Sequence, residues 1–307
     1  MTRYPLDRQF RLISGFHFPL SRRLSVPLHG FVRAWPCVSD KQTVVKRVRV
    51  TGPVGNDIPT HIITPRNAKG RLPCLYYIHG GGFYYPCAPY HYALAKQYAV
   101  KAGCVVVFPD YRLTPQHPFP AAPEDCWAVY QWLRKESAAL GIDPERVAVG
   151  GDSAGGNLAA ALTLMARDRG EKLPCFQMLI YPVTDRRMQT ESTRRFPDTP
   201  VWGARDSVKM WEYYLPALPA EHVEYASPLE APSVEGLPPA YLEVAEFDSL
   251  RDEGLAYGRR LEAAGIPVEY HETRGTPHGF EFVTNAPITR AAVARRIEVL
   301  RRVLIGA

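Results

Sequence analysis

From residue 74 onward, short apolar runs alternate with segments in which apolar residues recur at helical spacing. The apolar runs are rich in β-branched and aromatic residues, which is typical of strands. Six such runs occur: CLYYIH, CVVVFPDY, RVAVGG, CFQMLIYP, AYLEVAEF and PVEYHET. Five segments have the helical pattern: HYALAKQYAVKAG, EDCWAVYQWLRKESAAL, GGNLAAALTLMARD, LRDEGLAYGRRLEAAG and ITRAAVARRIEVLRRVL. This alternation predicts an α/β fold with a mainly parallel central sheet and helices on both faces.

Three segments lie outside the alternation. The runs TVVKRVRV and PTHIIT come first in the sheet region and predict an antiparallel hairpin at its edge. The first ~40 residues are aromatic and basic, without a clear strand–helix pattern. Residues 185–239 are rich in turn formers and contain one helix candidate, DSVKMWEYYL.

The helix candidate in residues 185–239 has an apolar side. Val208, Trp211 and Leu215 share a face at helical spacing, and Met210 and Tyr214 flank it. The segment is either an ordinary surface insertion or a lid over the carboxyl edge of the sheet, where open α/β sheets bind ligands. We favour the lid, because long insertions are often functional.

The length of 307 residues permits two domains, but α/β domains of this size often fold as one. We therefore predict a single domain with a helical cap. Residues 1–45 and 185–225 are expected to form the cap, and residues 46–184 and 226–307 the α/β core.

Composition narrows the classes of partner. The net charge is +6 and the basic residues are scattered, whereas a nucleic-acid binder usually gathers them into one stripe. No signal peptide and no apolar run of membrane-spanning length is recognisable, so we expect a cytoplasmic protein without stable membrane anchoring. The six cysteines form no Cys-x-x-Cys pair and lie partly in strand-like runs, which favours reduced, buried thiols over disulfides or zinc.

The stretch from Gly151 to Gly155 reads GDSAG and matches Gly-x-Ser-x-Gly, the nucleophile elbow. An apolar strand precedes it and a helix pattern follows, as that motif requires. The elbow holds its serine on a sharp strand-to-helix turn, where flanking side chains would collide with their neighbours, so both flanks must be glycine. A glycine-rich helix start or a phosphate-binding loop is the alternative, but no Gly-Lys-[Ser/Thr] follows. Ser153 is therefore the candidate nucleophile.

A second glycine-rich motif, HGGGF at residues 79–83, directly follows the strand CLYYI. Glycines let bare backbone approach a ligand with its N–H groups exposed, and an attacked ester carbonyl needs such donors for its oxyanion. The candidate donors are the N–H groups of Gly81 and Gly82, with Ala154 as the third.

A serine nucleophile needs a histidine base, and in this type of site the chain order is serine, acid, histidine. His222, His271 and His278 follow Ser153 by more than a helix length. His222 lies in the presumed lid and His271 inside a strand-like run. His278 lies in a loop between the last strand and the last helix, where a base is expected.

Four carboxylates compete for the acid that orients this histidine: Glu243, Glu246, Asp248 and Asp252. Glu243 falls within a strand, and Asp252 falls one turn into the next helix, where an acid commonly just favours the helix dipole. Asp248 directly follows the strand AYLEVAEF, at the expected sheet edge. Asp152 in the elbow is expected to be a structural hydrogen-bonding group.

These motifs together resemble the hormone-sensitive-lipase-like family of α/β-hydrolases, which includes bacterial carboxylesterases. The resemblance covers about residues 74–283 and rests on five motifs in the family's order: HGGGF, DYRLTPQHPFPAAPED, GGDSAGGN, EFDSLRDEG and HGF. It implies the α/β-hydrolase fold, Asp248 as the acid and His278 as the base. One departure is Gln116, where the family usually has glutamate.

The family implies a serine carboxylesterase that acts on short- to medium-chain acyl esters through an acyl-enzyme, with no metal or organic cofactor. The partner is then a small-molecule ester, and a homodimer stays open. Phe83, Tyr84, Tyr85, Trp202 and Trp211 are candidates for narrowing the substrate pocket, and each of them could equally be core packing.

Two other readings stay open. One is a ligand receptor on the same fold, as in the plant gibberellin receptor, which resembles the family but lacks the catalytic histidine. The other is an amidase, lactonase or deacetylase with the same triad, because the triad alone does not distinguish an ester from an amide.

Overall fold

The computed structural model describes residues 4–18, 20–23, 25–33 and 35–306. Within this part of the chain, the strands are β1 (Thr43–Thr51), β2 (Asp57–Pro65), β3 (Leu72–Ile78), β4 (Val105–Pro109), β5 (Ile142–Asp152), β6 (Phe176–Ile180), β7 (Ala240–Phe247) and β8 (Val268–Pro277). The helices are α1 (Ser25–Arg33), α2 (Pro89–Ala102), α3 (Ala121–Glu136), α4 (Ala154–Asp168), α5 (Glu191–Arg195), α6 (Ala204–Tyr214), α7 (Arg251–Ala263) and α8 (Pro287–Ile305).

The strands form one sheet in the order β1-β2-β4-β3-β5-β6-β7-β8. Strand β2 runs antiparallel to both of its neighbours, and the strands from β4 to β8 pair in parallel. The predicted parallel α/β fold and the predicted edge hairpin are therefore confirmed. Since crossover helices join parallel strands, the carboxyl ends of those strands meet at one edge of the sheet.

Two apolar cores lie on the two faces of the sheet, because successive strand residues point to opposite sides. In β3, Leu75 belongs to one core and Tyr76 to the other. Helices α2 and α8 contribute to the core that contains Leu75, and α3, α4 and α7 to the core that contains Tyr76. Burying a leucine-sized side chain contributes roughly 1.5–3 kcal/mol, so both faces stabilise the sheet.

The cap combines the N-terminal segment with the insertion between β6 and β7. His17 forms a β-bridge with Val201. The Tyr4 hydroxyl donates a hydrogen bond to Asp198 at 2.6 Å. These contacts join the two cap segments beside the carboxyl edge of the sheet, and the exact division into 1–45, 46–184, 185–225 and 226–307 stays a prediction.

The predicted apolar face of the cap helix α6 is wrong in one respect. Met210 and Tyr214 are fully buried, whereas Val208 is 49% exposed. The Tyr214 ring stacks on Phe83, with centroids 3.6 Å apart. The helix therefore turns the side that contains Met210 and Tyr214 toward the core, and Val208 lies on its outer side.

The six cysteines are all free thiols, as predicted. Four of them are buried, but Cys37 and Cys175 are partly exposed, so the expectation of burial is wrong for these two. Among the described residues, no helix has both the length and the apolar composition needed to cross a bilayer.

Candidate active site

Ser153 lies at the sharp turn between β5 and α4. Its φ of 55° and ψ of −119° are a strained combination for a residue with a side chain. A Cβ on Gly151 would lie 2.4 Å from the carbonyl oxygen of Gly155, and a Cβ on Gly155 would lie 2.0 Å from that of Ile78. Both distances are far below contact distance, so glycine is required on both sides of the serine, as the sequence predicts.

The structure brings Ser153, His278 and Asp248 into one hydrogen-bonded row. The Ser153 Oγ lies 2.9 Å from Nε2 of His278, and Nδ1 of His278 lies 2.7 Å from Oδ2 of Asp248. The other oxygen of Asp248 accepts a hydrogen bond from the Leu250 N–H at 2.9 Å. All three side chains are buried. This geometry allows the imidazole to take the serine proton while the carboxylate holds its Nδ1–H.

The sheet register explains why Asp248 and His278 meet. Strands β7 and β8 are parallel neighbours, and Phe247 pairs with Pro277. Asp248 and His278 are the next residues after that pair. Two side chains that are far apart in sequence therefore leave the sheet side by side, at the edge that also carries Ser153.

The pKa of His278 is raised above its ordinary value of 6.5. Burial by itself lowers this pKa, because a charged imidazole is poorly solvated inside the protein. The negative charge of Asp248 and its hydrogen bond to the ring outweigh burial. The carboxylate therefore makes His278 a stronger base.

The other candidate acids have different partners. Glu243 lies in an ion pair with the buried Arg296. Glu246 accepts a hydrogen bond from the Gly275 N–H at 2.7 Å, and Asp252 accepts one from the Ser192 N–H at 2.7 Å. None of these three carboxylates contacts His278 in the described structure.

The two other candidate histidines lie away from Ser153. The Tyr241 hydroxyl lies 3.1 Å from Nδ1 of His271. His222 is exposed, and its ring stacks on Tyr225 with centroids 4.8 Å apart. The structure therefore brings His278, among the three candidates, to the nucleophile.

The glycine loop lies beside the serine, and its conformation depends on glycine. Gly81 has a φ of 113° and Gly82 a φ of 61°. A Cβ on Gly82 would lie 2.4 Å from the Trp202 ring. Among the described residues, no group accepts a hydrogen bond from the N–H of Gly81, Gly82 or Ala154. Ala154 is the first residue of α4, where an N–H has no partner within the helix.

Asp152 holds the glycine loop against the elbow. Its Oδ1 accepts hydrogen bonds from the Tyr77 hydroxyl at 2.8 Å and from the Gly80 N–H at 3.2 Å. Its Oδ2 lies 3.3 Å from Nε2 of His91. Burial alone would raise the pKa of Asp152, but His91 and Tyr77 outweigh burial and lower it to about 2. The expected structural role of Asp152 is consistent with these contacts.

His79, the first residue of HGGGF, lies behind the loop. Its ring stacks on Tyr111 with centroids 4.4 Å apart, and its Nδ1 lies 2.7 Å from the carbonyl oxygen of Gly80. Burial lowers the pKa of His79 to about 4, so the ring is neutral and donates from Nδ1. His79 therefore fixes the loop through its contacts with Tyr111 and Gly80.

A cavity of about 110 Å³ opens beside the serine. Gly81, Gly82, Ser153 and His278 contribute to its wall, and Trp202 lines it as predicted. Its remaining wall is mostly apolar and aromatic and consists of Phe18, Val32, Tyr85, Pro86, Ala88, Tyr90, His91, Asp152, Tyr181, Val201, Gly279 and Phe282.

Three predicted pocket residues do not line this cavity, and the prediction for them is corrected. Phe83 is fully buried and stacks on Tyr214. Tyr84 is buried, and its hydroxyl donates to the carbonyl oxygen of Ser21 at 2.7 Å. Trp211 is buried and packs on Phe83 and Tyr214, with ring centroids 6.5 and 5.9 Å apart. All three residues instead fix the cap to the core.

Tyr181 is a site residue that sequence reasoning missed. It follows β6 at the carboxyl edge of the sheet, and its ring meets the His278 ring edge-on with centroids 4.6 Å apart. Its hydroxyl donates to Glu281 at 2.6 Å, and Glu281 pairs with the buried Arg296. Its place directly after a parallel strand is the signal that could have identified it, since the same position favoured Asp248.

In the described part of the chain, no group of three or more His, Cys, Asp or Glu side chains is placed to hold a metal ion.

Known proteins are similar to this chain in sequence and in fold. A family model described as an alpha/beta hydrolase fold matches residues 75–282. The carboxylesterase NlhH of Mycobacterium tuberculosis is 38% identical over 253 residues, which cover 81% of this chain and 79% of that protein. The ethyl acetate hydrolase of Pseudomonas putida is 34% identical over 246 residues, covering 79% of this chain and 77% of that protein.

The similarity extends to solved structures. The crystal structure of the esterase LipW from Mycobacterium marinum superposes with a TM-score of 0.90 at 30% identity, and the match covers 98% of this chain and 96% of that one. The family match spans more than half of the sequence and includes the elbow, the glycine loop and the His278 loop. The chain belongs to the hormone-sensitive-lipase-like family of α/β-hydrolase carboxylesterases.

Proposed function

We propose that this carboxylic ester hydrolase cleaves short- to medium-chain acyl esters through Ser153, His278 and Asp248, by way of an acyl-enzyme. The observation that carries the proposal is the buried hydrogen-bonded row from Ser153 Oγ through the imidazole to Asp248, which opens onto an apolar cavity. The same observation argues against a receptor, because a binding site needs no activated nucleophile.

In the first half of the reaction, Ser153 Oγ bonds to the carbonyl carbon as its proton passes to Nε2 of His278. The carbonyl electron pair moves onto oxygen, where the N–H groups of Gly81, Gly82 and Ala154 stabilise the charge. Losing one such donor typically reduces kcat by about 10²–10³. The bond to the leaving alcohol then breaks, and the alcohol oxygen takes the proton from Nε2.

In the second half, water enters the place of the alcohol and loses a proton to Nε2 of His278 as its oxygen bonds to the acyl carbon. The second tetrahedral intermediate collapses, the bond to Ser153 breaks, and the proton returns from the imidazole to Oγ. Asp248 stays ionised and stabilises the imidazolium in both halves.

The size of the cavity supports short acyl chains. At about 110 Å³, with the aromatic rings of Trp202, Tyr181 and Phe282 in its wall, it leaves little room for a long chain. The name of the related ethyl acetate hydrolase also indicates a two-carbon acyl group for that protein.

The test is a series of p-nitrophenyl esters from acetate to palmitate with the wild type and with Ser153→Ala. The wild type is expected to have its highest kcat/KM on short to medium chains. The Ser153→Ala variant is expected to lose several orders of magnitude, since the residues of a triad act as a unit. A preference for long-chain emulsions would refute the acyl-size proposal.

Two further assays separate ester hydrolysis from the other readings. An organophosphate should label Ser153 covalently, whereas a receptor would stay unlabelled. A matched pair of p-nitroanilide and p-nitrophenyl substrates with the same acyl group distinguishes an esterase from an amidase, and we expect the ester to react faster.

The predictions on location and partners are those made from the sequence. They are a cytoplasmic protein without a stable membrane anchor or a nucleic-acid partner, which either is a monomer or forms a homodimer. Size-exclusion chromatography with light scattering measures the oligomeric state directly.

A further inference from the structure

Helix α1 turns an apolar face to solvent. Val26 is 65% exposed and Phe31 is 68% exposed, and Pro27 and Gly30 beside them are also exposed. At about 100° per residue, the four positions fall within an arc of roughly 140°, so they share one side of the helix. A surface helix normally points most of its large apolar side chains inward, so the outward direction of Val26 and Phe31 is unusual.

The inner side of α1 carries both polar and apolar residues and is held to the core, where Leu28 packs against buried apolar side chains. Ser25 is fully buried, and its hydroxyl accepts a hydrogen bond from Nε2 of Gln116 at 2.7 Å. His29 is buried and meets the Tyr84 ring edge-on, with centroids 5.4 Å apart. The outward direction of Val26 and Phe31 is therefore fixed by contacts on the opposite side of the helix.

The exposed face lies next to the mouth of the active-site cavity. Val32, the residue after Phe31, lines that cavity. Trp35, two residues after α1, is 58% exposed, and its N–H donates a hydrogen bond to the carbonyl oxygen of Val32 at 3.2 Å. Large apolar side chains gathered at one place on a surface usually mark an interaction site.

The same segment carries most of the excess positive charge. Residues 1–39 contain six arginines and one aspartate, so they supply five of the six net positive charges of the chain. Arg8, Arg11, Arg22 and Arg23 are exposed. In the described part of the chain, none of these four arginines is paired with a carboxylate.

We propose that α1 and its flanking arginines adsorb reversibly to the surface of an anionic lipid bilayer. Apolar side chains of an interfacial helix enter the headgroup boundary, and arginines beside them bind the anionic headgroups. A second copy of the chain fits less well, because apposing two such faces would bring two clusters of arginines together. Adsorption would place the cavity mouth at the lipid surface, and it does not depend on the proposed esterase activity.

The test is co-sedimentation of the full chain with vesicles of phosphatidylcholine alone or with 30% phosphatidylglycerol, in the Ser153→Ala background so that no lipid is hydrolysed. We expect binding to the anionic vesicles that weakens as salt rises, and little binding to the neutral ones. The double variant Val26→Asp/Phe31→Asp should lower the partition coefficient at least about tenfold, since it removes the inserting side chains and adds two negative charges.

Matched variants control for charge and for exposure. Arg22→Gln/Arg23→Gln should weaken binding about tenfold or more, since each basic residue at an anionic surface contributes roughly a fivefold effect. Arg290→Gln/Arg301→Gln removes two exposed arginines from α8, and Val54→Asp changes an exposed apolar residue in the hairpin turn. Both of these controls should bind nearly as well as the parent.

The proposal is overturned if the anionic and neutral vesicles bind equally, if neither binds, or if the α1 variant binds like the parent. If the protein does not bind vesicles but forms a dimer, and Val26→Asp/Phe31→Asp dissociates that dimer, the face belongs to an interface with a second copy instead. The same substitutions are also made in the protein that keeps Ser153, where we expect unchanged hydrolysis of p-nitrophenyl acetate. Unchanged activity shows that the fold is intact. This assay therefore separates a failure of the membrane proposal from a failure of the esterase assignment.

Discussion

Two buried pairs of a carboxylate and an imidazole lie at the same cavity, whose wall contains both imidazoles, and their contacts differ. In one, Asp248 contacts Nδ1 of His278, and the far nitrogen faces Ser153. In the other, Asp152 contacts Nε2 of His91, and the far nitrogen accepts the Ala88 N–H at 3.1 Å. The composition of the two pairs is the same, so composition cannot decide which one is reactive.

The two pairs differ in whether the second nitrogen of the imidazole is free to accept a proton. Both nitrogens of His91 are engaged with fixed partners, so it can neither take nor give a proton without breaking a buried hydrogen bond. The carboxylate of Asp152 contacts three groups: the His91 ring, the Tyr77 hydroxyl and the Gly80 N–H. A general base must lie within hydrogen-bond reach of the proton that it takes, and His278 meets this condition at Ser153 whereas both nitrogens of His91 are occupied.

The largest expected contrast comes from the two histidines. His278→Gln should lower kcat/KM by about 10⁴–10⁶, because no other group accepts the serine proton. His91→Gln should cost less than about tenfold, since the glutamine amide can donate to Asp152 and accept from Ala88. The measurement is kcat/KM for p-nitrophenyl acetate with all proteins shown to be folded by circular dichroism. Equal losses for the two variants would remove the distinction drawn between the pairs.

The two carboxylates give the next contrast, and they separate activity from stability. Asp248→Asn should lower kcat by about 10³–10⁴, because the amide no longer fixes the tautomer or stabilises the imidazolium. Asp152→Asn should mainly lower the free energy of unfolding, by about 1–3 kcal/mol, because it disturbs buried hydrogen bonds. Urea unfolding and steady-state kinetics on both variants check this. A stable but inactive Asp152→Asn enzyme would show that this carboxylate has a direct catalytic role.

The proximity of Asp248 and His278 to Ser153 could be predicted from the sequence because positional rules apply to these residues. Ser153, Asp248 and His278 each follow a parallel strand, and strand order places those ends at one edge. The glycines of the elbow report a steric requirement that any chain with this turn must meet. These features are local, so a local pattern can encode them.

The pocket wall could not be predicted in the same way. Phe83 and Tyr84 lie next to the glycine loop in sequence, yet both point into packing contacts with the cap. Phe18 and Val32 line the cavity although they come from the N-terminal segment, which has no periodic pattern. Side-chain direction in irregular segments depends on long-range contacts, so it has no signature within a short window of sequence.

A third test uses pH to sharpen the comparison. Only the neutral form of His278 can act as the base, and its pKa is raised above 6.5 by Asp248 against the opposing effect of burial. The acid limb of kcat/KM should therefore have its midpoint above pH 6.5, and activity should fall about tenfold per pH unit below it. In Asp248→Asn the raising charge is gone and burial remains, so the residual activity should titrate at a lower pH. His91→Gln should leave the midpoint where it is, and a moved midpoint in that variant would mean that His91 contributes to the titration.

The smallest expected effect concerns the aromatic neighbour of each histidine. Tyr181 meets His278 edge-on and is held by Glu281, whereas the Tyr90 ring packs on His91 with centroids 3.9 Å apart. Tyr181→Phe removes the hydroxyl that fixes the ring, and it should lower kcat by a few-fold and the free energy of unfolding by about 1 kcal/mol. Tyr90→Phe keeps the ring beside a histidine that transfers no proton, so its kcat should be unchanged. If Tyr181→Phe changed KM alone, the ring would act only as a pocket wall, because a group that orients the base must affect the chemical step.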